Sequence, residues 1–473
     1  MSKTLHIRRR SADCETPLSA YAALRDNHPD SFLFESAEGG EHWGRYSIIG
    51  FDPACVASEN DGRVEVRHRS GGRELLDTDI MAWLRQNVVG EAAVTSADEL
   101  PFSGGAVGFF SYDIVSRFEP AATSSKLQTG PLAAFMLIDR FVVFDNLRGS
   151  MDLCVLAESG ADVESVLDAM EKQLNTAPRP APMRLDTPET AHVTPKAHIS
   201  QRDYETMVEK AKEYILAGDI FQVVLSQRFS APLSCDPLLI YRAVRHINPS
   251  PYLFHLSIGD TTLIGSSPEI LVRKEGDRAI VRPIAGTRPR GKTDDEDKAL
   301  ETELLADTKE LAEHVMLVDL GRNDLGRVCD FGSVKLTESM TIERYSHVMH
   351  IVSQVEGTLR HDVDALDLLA ATFPAGTVSG APKVRAMQII DELEKEARGP
   401  YAGCIGYISF GGEQMDTAIA IRTAVIRNGT IEVQAGAGLV ADSVPASEHR
   451  ECVNKASAMF RAVELAHAQE QRS

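Results

Sequence analysis

The chain has 473 residues and carries 69 acidic against 49 basic side chains, giving a formal net charge of -20. This length suits one large domain or two to three ordinary domains with a sizeable core. The acidic balance argues against general nucleic-acid binding, so an anionic small molecule would need a locally basic pocket. No apolar run reaches the roughly 20 residues that span a bilayer, and the start does not resemble a secretory signal.

The cysteines indicate a reducing compartment. All seven are scattered along the chain, and none belongs to a C-x-x-C pair. Neither a disulfide framework nor a zinc site is expected, and we predict a cytoplasmic protein. Cys404 lies in a Gly-Cys-Ile-Gly turn like the nucleophile turn of glutamine-hydrolysing amidotransferases. No histidine–acid pair follows it at a suitable spacing, so we interpret Cys404 as structural.

The first part of the chain, residues 1–173, is predicted to be rich in strands. Short apolar, β-prone runs lie at residues 32–34, 46–49 and 135–144. Residues 174–199 are rich in Pro, Thr and Ala and predict an exposed linker between two parts of the chain.

Residues 200–468 are predicted to form the second, catalytic domain. Ser200 and Asp203 form an acidic variant of the capping box, which opens a helix. Further strands are predicted at 252–258, 269–273, 278–284, 418–427 and 430–434, and helices at about 296–319, 363–372, 382–396 and 445–468. The strands come in antiparallel pairs rather than alternating with helices, so the pattern favours the α+β class.

Two predicted helices each present a pair of carboxylates on one face. Glu310 and Glu313 are three residues apart, and so are Glu448 and Glu451. Such pairs usually belong to an ordinary solvated helix. Here the first pair runs into an apolar segment, and the second follows the glycine-rich strand end at 436–440. Four hard oxygen donors suit Mg²⁺, whereas the lack of a Cys/His cluster argues against zinc.

Five motifs stand in a fixed order in the second part of the chain. They are Ser-Ser-Pro-Glu at 266–269, Pro-Ile-Ala-Gly-Thr-Arg-Pro-Arg-Gly at 283–291, Asp-Leu-Gly-Arg-Asn-Asp-Leu-Gly-Arg at 319–327, Tyr-Ser-His-Val-Met-His at 345–350 and Pro-Ala-Gly-Thr-Val-Ser-Gly-Ala-Pro-Lys at 374–383. Together they resemble the catalytic domain of the chorismate-utilising enzymes, and Ala285 indicates the anthranilate-forming branch. The resemblance implies a two-layer antiparallel β sandwich flanked by helices.

The resemblance also implies where the substrate and the metal bind. The implied Mg²⁺ ligands are Glu310, Glu313, Glu448 and Glu451. The implied chorismate-binding residues are Gly286, Thr287, Tyr401, Arg422, Gly436, Ala437, Gly438 and Lys455. The implied catalytic residues are Glu313, His350 and Thr377. His350 is expected to transfer a proton, most of all in the elimination, Glu313 is a candidate acid, and His347 is interpreted as structural.

The implied reaction is the first committed step of tryptophan biosynthesis. Ammonia attacks C2 of chorismate as the C4 hydroxyl leaves, and pyruvate is then eliminated from aminodeoxyisochorismate to give anthranilate. A general acid must protonate the leaving hydroxide, and a base must take the C2 proton. Related enzymes carry a lysine nucleophile at the place of Ala285, or a water-activating lysine at that of Gln222. Neither lysine is present here, so ammonia is the expected nucleophile.

A regulatory site for tryptophan is implied as well. Residues 32–36, Phe-Leu-Phe-Glu-Ser, resemble the Leu-Leu-Glu-Ser segment that binds the feedback inhibitor, and residues 248–254 match its other half. An indole needs an apolar slot, and its amino group needs acceptors. The implied residues are Glu35, Ser36, Arg45, Asn248, Pro249, Ser250, Pro251 and Tyr252.

The expected partner is a glutamine amidotransferase subunit on a separate chain, which supplies ammonia. Alternative functions remain open. The protein could stop at aminodeoxyisochorismate, act as an aminodeoxychorismate synthase, or be an inactive regulator that binds chorismate or tryptophan.

Overall fold

The computed structural model describes residues 3–36, 44–94, 100–122, 126–185, 192–345 and 348–470. The strands are β1 (Lys3–Ser11), β2 (Ser31–Glu35), β3 (Tyr46–Phe51), β4 (Cys55–Asn60), β5 (Arg63–His68), β6 (Arg73–Leu76), β7 (Gly105–Phe110), β8 (Ala133–Ile138), β9 (Arg140–Asp145), β10 (Ser150–Glu158), β11 (Lys196–Ala197), β12 (Gln222–Pro232), β13 (Tyr252–Ile258), β14 (Thr261–Ser267), β15 (Ile270–Glu275), β16 (Arg278–Val281), β17 (Ile284–Pro289), β18 (Lys335–Arg344), β19 (Val348–Thr358), β20 (Gly380–Ala381), β21 (Cys404–Ser409), β22 (Gln414–Ile419), β23 (Thr423–Arg427) and β24 (Thr430–Leu439).

Helices connect the strands. They are α1 (Pro17–Arg25), α2 (Ile80–Leu84), α3 (Val115–Phe118), α4 (Val163–Thr176), α5 (Gln201–Leu216), α6 (Pro237–Ile247), α7 (Asp294–Ala306), α8 (Thr308–Gly326), α9 (Ala365–Thr372), α10 (Lys383–Leu393) and α11 (Pro445–Glu470). Within the described ranges, no helix is both long and apolar enough to cross a membrane.

The strands form two sheets of twelve, and all the pairings described are antiparallel. The first sheet has the order β1-β10-β9-β3-β2-β13-β14-β23-β24-β12-β11, with β20 paired to β12. The second sheet has the order β17-β19-β16-β15-β22-β21-β7-β8-β4-β5-β6, with β18 paired to β19. Each sheet mixes strands from residues 1–173 and 200–468. The boundary predicted between the two parts of the chain therefore does not coincide with a boundary between the sheets. The division into two domains stays a prediction.

Aromatic side chains fill the space between the two sheets. Phe141 and Phe254 from the first sheet share one buried cluster with Val107 and Ile405 from the second. Phe102, which precedes β7, lies with its ring centre 5.1 Å from that of Phe141. Two further buried clusters join the outer faces of the sheets to helices, α1, α4, α6 and α11 on the first sheet and α8 and α9 on the second. The predicted two-layer antiparallel sandwich flanked by helices is therefore confirmed.

The linker region carries more regular structure than the sequence predicts. α4 continues to Thr176, and β11 pairs with β12 within the last residues of the predicted linker. The predicted cap of α5 is confirmed, since the Ser200 hydroxyl accepts from the Asp203 amide at 3.1 Å.

Two predicted elements are interrupted. The single helix predicted at 296–319 is wrong, because Asp307 adopts an extended backbone and its carboxylate caps a new helix, α8, by accepting from the amides of Lys309 and Glu310. The continuous strand predicted at 418–427 is also wrong. It breaks between β22 and β23, where Arg422 has φ of +51°, a left-handed conformation that no regular strand contains.

We expect Phe141→Ala to lower the free energy of unfolding by about 3–5 kcal/mol, because the ring is fully buried between the sheets and its loss leaves a cavity. Chemical denaturation monitored by circular dichroism measures the change. Leu147→Ala is the control, since Leu147 is 66% exposed, and its effect should stay within about 0.5 kcal/mol. Equal losses for the two variants would contradict the assignment of this core.

Candidate functional site

The first carboxylate pair lies in the opening turns of α8. The Asp307 cap places Glu310 in the first turn and Glu313 one turn further on. Burial and the charge of Glu313 raise the pKa of Glu310. The carboxylate of Glu310 lies against Gly286 of β17, where a Cβ atom would come within 3.3 Å of Glu310 Oε2. Gly286 has φ of +69°, so both its backbone conformation and this close approach favour glycine.

The second pair lies at the start of α11. Burial raises the pKa of Glu448, and the charge of Glu451 adds to the effect, whereas Lys309 of α8 acts in the opposite direction. The starts of α8 and α11 are thus electrostatic neighbours. Glu451 also forms an ion pair with Lys455, with 2.6 Å between Oε1 and Nζ.

The two pairs suit Mg²⁺ in their donor chemistry. Within the described ranges, no three carboxylate, imidazole or thiol groups lie close enough together to form a complete metal site. Mg²⁺ commonly takes only one or two protein carboxylates and fills its remaining positions with water and a substrate anion. The raised pKa values of Glu310 and Glu448 indicate two partly desolvated carboxylates that a divalent cation would stabilise.

Small residues of β24 make room for polar groups. Gly436, Ala437 and Gly438 pair with β12, and a Cβ atom on Gly436 would approach the Tyr401 hydroxyl to 2.6 Å. A Cβ atom on Gly438 would approach Gln222 Nε2 to 2.7 Å. The glycines therefore allow two side-chain polar groups to lie directly on the strand.

Hydrogen bonds connect this strand to both helices. Lys455 of α11 donates to the Gly436 carbonyl at 2.9 Å, and Gln222 Nε2 donates to Glu313 Oε1 of α8 at 3.1 Å. The other amide atom, Gln222 Oε1, is buried without a hydrogen-bond partner among the described residues. An unpaired buried acceptor is costly unless a ligand supplies the missing donor.

Arg422 supplies a cation to the site. It lies in the break between β22 and β23, and burial lowers its pKa, opposed by the charges of Tyr401 and Glu451. Among the described residues no carboxylate comes within ion-pair distance of its guanidinium. A partly buried guanidinium of this kind is suited to a carboxylate of a bound ligand.

His350 is positioned as a base. Its Nδ1 lies 2.9 Å from the Gly286 carbonyl oxygen, which can only accept, so Nδ1 carries the proton, and the Thr287 hydroxyl lies 3.1 Å away. Burial lowers the pKa of His350, and the charge of Arg422 adds to this. The ring is therefore neutral at neutral pH, with the lone pair on Nε2. His347 lies outside the described residues, so its predicted structural role stays a prediction.

Glu269 is a buried carboxyl that follows β14. Its side chain is 8% exposed, and burial raises its pKa to about 8. The Thr377 hydroxyl opposes this shift, although its Oγ atom has no well-aligned hydrogen-bond partner among the described residues. Glu269 and Thr377 together form a protonated acid beside an available hydroxyl.

Most of the predicted active-site residues fall into one continuous set of neighbours, whereas Thr377 is related to Glu269. The Glu310 carboxylate lies against Gly286, and the Gly286 carbonyl accepts a hydrogen bond from His350. The charge of Arg422 lowers the pKa of His350. Arg422 in turn faces Tyr401 and Glu451. Lys455 links Glu451 to β24, and Gln222 links β24 back to Glu313.

Two residues that the structure singles out, Glu269 and Gln222, are not among the predicted site residues. Glu269 is predicted only as part of a motif, yet a single glutamate between two apolar, β-prone runs is a signal for a buried carboxyl. Gln222 stands out in the sequence only because it is not a lysine. Nothing in the sequence indicates that its amide bridges α8 and β24.

A large cavity of about 960 Å³ lies apart from these residues, between the two sheets. Five of the residues predicted to bind tryptophan line it: Glu35, Ser36, Arg45, Pro251 and Tyr252. Asn248, Pro249 and Ser250, predicted for the same site, are not among the lining residues. The Ser36 hydroxyl is buried without a partner among the described residues, which suits a polar ligand group.

The Glu35 carboxylate is fixed from behind the cavity wall. Tyr241 of α6 donates to its Oε2 at 2.6 Å, and Arg245 donates to its Oε1 at 3.3 Å. Arg45, which also lines the cavity, pairs with Asp145 at 2.7 Å. The cavity thus combines aromatic and aliphatic walls with charged groups in fixed positions.

Comparisons with known proteins agree along almost the whole chain. A family model described as chorismate binding enzyme matches residues 29–461. The chain is 49% identical to anthranilate synthase component 1 of Pseudomonas putida over 466 residues, covering 96% of this chain and 94% of the relative. It is 48% identical to anthranilate synthase component 1 of Aquifex aeolicus over 465 residues, covering 96% and 93% of the two chains.

Solved structures show the same architecture. Anthranilate synthase component I from Streptococcus pneumoniae matches with a TM-score of 0.76 at 40% identity, covering 89% of this chain and 95% of that one. The menaquinone-specific isochorismate synthase of Escherichia coli matches with a TM-score of 0.71 at 19% identity, covering 98% and 95%. The second likeness shows the shared fold alone.

We expect the free energy of unfolding of Glu269→Gln, relative to that of the wild type, to increase as pH rises from 5 to 8. Above pH 8 the difference should stay constant. The folded protein keeps a proton on Glu269 up to its pKa of about 8, whereas an ordinary glutamate with a pKa of 4.5 loses it in the unfolded chain. The wild type therefore loses stability across this interval, by roughly 2–5 kcal/mol, and the glutamine variant does not.

Thermal melts of both proteins at each pH measure the difference. The exposed Glu158→Gln is the matched control. A constant difference between Glu269→Gln and the wild type from pH 5 to 8 would show that this carboxyl is not protonated in the fold.

Proposed function

We propose that this chain, which belongs to the family of chorismate binding enzymes, is component 1 of an anthranilate synthase. It converts chorismate and ammonia to anthranilate and pyruvate through aminodeoxyisochorismate. The observation that carries the proposal is a neutral base, His350, within the electrostatic reach of the partly buried cation Arg422. A protonated acid, Glu269, is connected to the backbone of Arg422 through Ser267 and Ser266 of β14. An amination followed by an elimination needs these three groups together.

The substrate's carboxylates are held by the cations and donors of the site. Arg422 and the Tyr401 hydroxyl face the same space, and Lys455 lies beside the β24 backbone at Gly436. Charge-assisted hydrogen bonds from these groups would overcome the repulsion that an acidic protein exerts on a dianion.

In the first step, Glu269 donates its proton to the C4 hydroxyl, which leaves as water while ammonia attacks C2. We assign this role to Glu269 rather than to Glu313, because Glu313 accepts a hydrogen bond from Gln222 and belongs to a carboxylate pair. A general acid is most effective when its pKa lies near the working pH, and a pKa of about 8 meets that condition. Thr377 orients the acid.

In the second step, Nε2 of His350 takes the proton from C2 as pyruvate leaves. The Gly286 carbonyl fixes the tautomer that presents this lone pair. The small side chain of Ala285 leaves C2 open to ammonia, since a lysine there would compete as a nucleophile. This disfavours the aminodeoxychorismate synthase alternative.

Glu310, Glu313, Glu448 and Glu451 would hold Mg²⁺. When bound, the ion withdraws electron density from the substrate's ring carboxylate and fixes its orientation. The residues around it keep their own roles in holding the substrate and moving protons.

Regulation and ammonia supply complete the proposal. The cavity between the sheets binds L-tryptophan, with its indole against the aromatic wall and its amino group near Glu35 and Ser36. Ammonia comes from a component 2 with glutamine amidotransferase activity. The runner-up function is an aminodeoxyisochorismate synthase that lacks the elimination, which the position of His350 disfavours.

The purified chain should form anthranilate from chorismate, Mg²⁺ and ammonium at alkaline pH, where free ammonia is abundant. Anthranilate fluorescence measures the rate. A chelator should abolish the activity and added Mg²⁺ should restore it, while glutamine should support the reaction only after component 2 is added. Absence of anthranilate under these conditions would contradict the proposal. Anthranilate formation with glutamine in the absence of component 2 would contradict the claim that a separate chain supplies the ammonia.

His350→Ala should slow anthranilate formation by about 10²–10⁴-fold, because the elimination loses its base. Aminodeoxyisochorismate should accumulate, and chromatography of the reaction mixture would detect it. His361→Ala, at an exposed histidine, is the control. If His350→Ala forms neither anthranilate nor aminodeoxyisochorismate, His350 acts in the first step instead.

A further inference from the structure

The side chains of Asn248 and Ser250 point away from the cavity and toward β14. The Ser266 hydroxyl donates to the Asn248 carbonyl, and Asn248 Nδ2 donates back to Ser266 Oγ at 3.3 Å. The Ser250 hydroxyl donates to the Ser267 carbonyl at 2.7 Å. Ser266 and Ser267 are fully buried and Ser250 is 3% exposed, so water does not compete for these bonds.

The same two residues of β14 form hydrogen bonds with the backbone of the two residues that carry the proposed acid and cation. The Ser266 amide donates to the Arg422 carbonyl at 3.2 Å, which supports the left-handed backbone of Arg422. The Ser267 hydroxyl lies 3.3 Å from the Glu269 amide and 3.2 Å from its carbonyl oxygen. A single residue therefore connects the segment that begins at Asn248 to each of them: Ser266 connects it to Arg422, and Ser267 connects it to Glu269.

The other end of this segment forms part of the cavity wall. Pro251 and Tyr252 line the cavity, directly after Ser250. Pro249 and Pro251 flank Ser250 and fix the backbone φ on both sides of it. A ligand that moves Pro251 or Tyr252 must therefore move Ser250 as well, since the short stretch between them cannot absorb the change.

We propose that Asn248 and Ser250 are positioning residues that couple the cavity to the active site through Ser266 and Ser267. A ligand in the cavity shifts the segment 248–252, and this displaces Arg422 and Glu269. By the same links, chorismate at Arg422 disfavours the ligand-bound arrangement of the cavity, because coupling between two binding sites is reciprocal. The inference rests on the proposed function, since it takes L-tryptophan as the ligand and chorismate as the substrate.

This assignment differs from the one that the sequence resemblance implies, in which Asn248 and Ser250 bind tryptophan directly. The two roles predict opposite results. Removing a side chain that touches the ligand weakens tryptophan binding whether or not chorismate is present. Removing a positioning side chain leaves tryptophan binding to the free protein intact and reduces the effect of one ligand on the other.

The test compares Ser250→Ala with Ser257→Ala in the full chain. Ser257 lies on the strand that follows Ser250, β13, and its hydroxyl lies 3.1 Å from that of Thr262 within the hairpin, away from both sites. Titration calorimetry gives the Kd of L-tryptophan for the free protein. The ammonia-driven assay gives the KM for chorismate without tryptophan and at saturating tryptophan, and the ratio of the two KM values measures the coupling.

In Ser250→Ala we expect the coupling ratio to fall by about 2- to 10-fold, the usual effect of one buried hydrogen bond. The Kd of tryptophan for the free protein should stay within about two-fold of the wild type. Ser257→Ala should match the wild type in both measurements. If Ser250→Ala does not fold, as judged by circular dichroism, Asn248→Ala removes the link to Ser266 and should give the same result.

An unchanged coupling ratio would overturn the inference. If the Kd is also weakened by about ten-fold or more, the result restores the direct-binding role. A wild type that turns over chorismate but shows no coupling would overturn it as well, while leaving the proposed reaction in place. A wild type that forms no anthranilate at all would instead remove the proposed function on which the inference rests.

Discussion

Antiparallel pairing of β14, β23, β24 and β12 in the first sheet determines where the functional groups lie. Backbone hydrogen bonds hold these four strands side by side, and each brings one part of the site: β12 carries Gln222, β24 carries the small residues at 436–438, and the site's acid and cation adjoin β14 and β23. Strand spacing in a sheet is nearly fixed. The distances between these groups are therefore set by the backbone, and the side chains need little freedom of their own.

The distribution of charge follows from the same arrangement. The surface of this acidic protein carries many ion pairs, which are exposed and individually weak. In the site, carboxylates adjoin one another at the starts of α8 and α11, and Arg422 lies partly buried with no ion pair to any described carboxylate. Such unmatched charges are costly in an empty protein. A bound ligand that supplies the opposite charges would make them favourable.

Local patterns in the sequence predict the fold class, the hairpins at β13–β14 and β23–β24, and the Ser200 cap, because each depends on a few neighbouring residues. The boundary between α7 and α8 escapes prediction, since Asp307 in a helical pattern resembles any other polar residue until its side chain is seen to cap the next turn. The pKa of Glu269 is equally hidden, as it depends on burial by residues distant in sequence. The resemblance implies that Asn248 and Ser250 bind tryptophan, whereas their hydrogen bonds to β14 favour the positioning role proposed above, and no sequence pattern contains those bonds.

The mixing of early and late strands in both sheets constrains how the chain is made. β2 pairs with β13, and β7 pairs with β21. Phe110 of β7, for example, cannot pair with Cys404 until residues 111–403 have been synthesised. While the ribosome is still synthesising the second half, these early strands present open edges of apolar sequence to their surroundings. Neither sheet can close until the late strands emerge, which makes folding slow and leaves the nascent chain prone to aggregation. The mixing of early and late strands thus holds the site in place in the folded protein, and it also makes the nascent chain dependent on chaperones that cover its exposed strand edges.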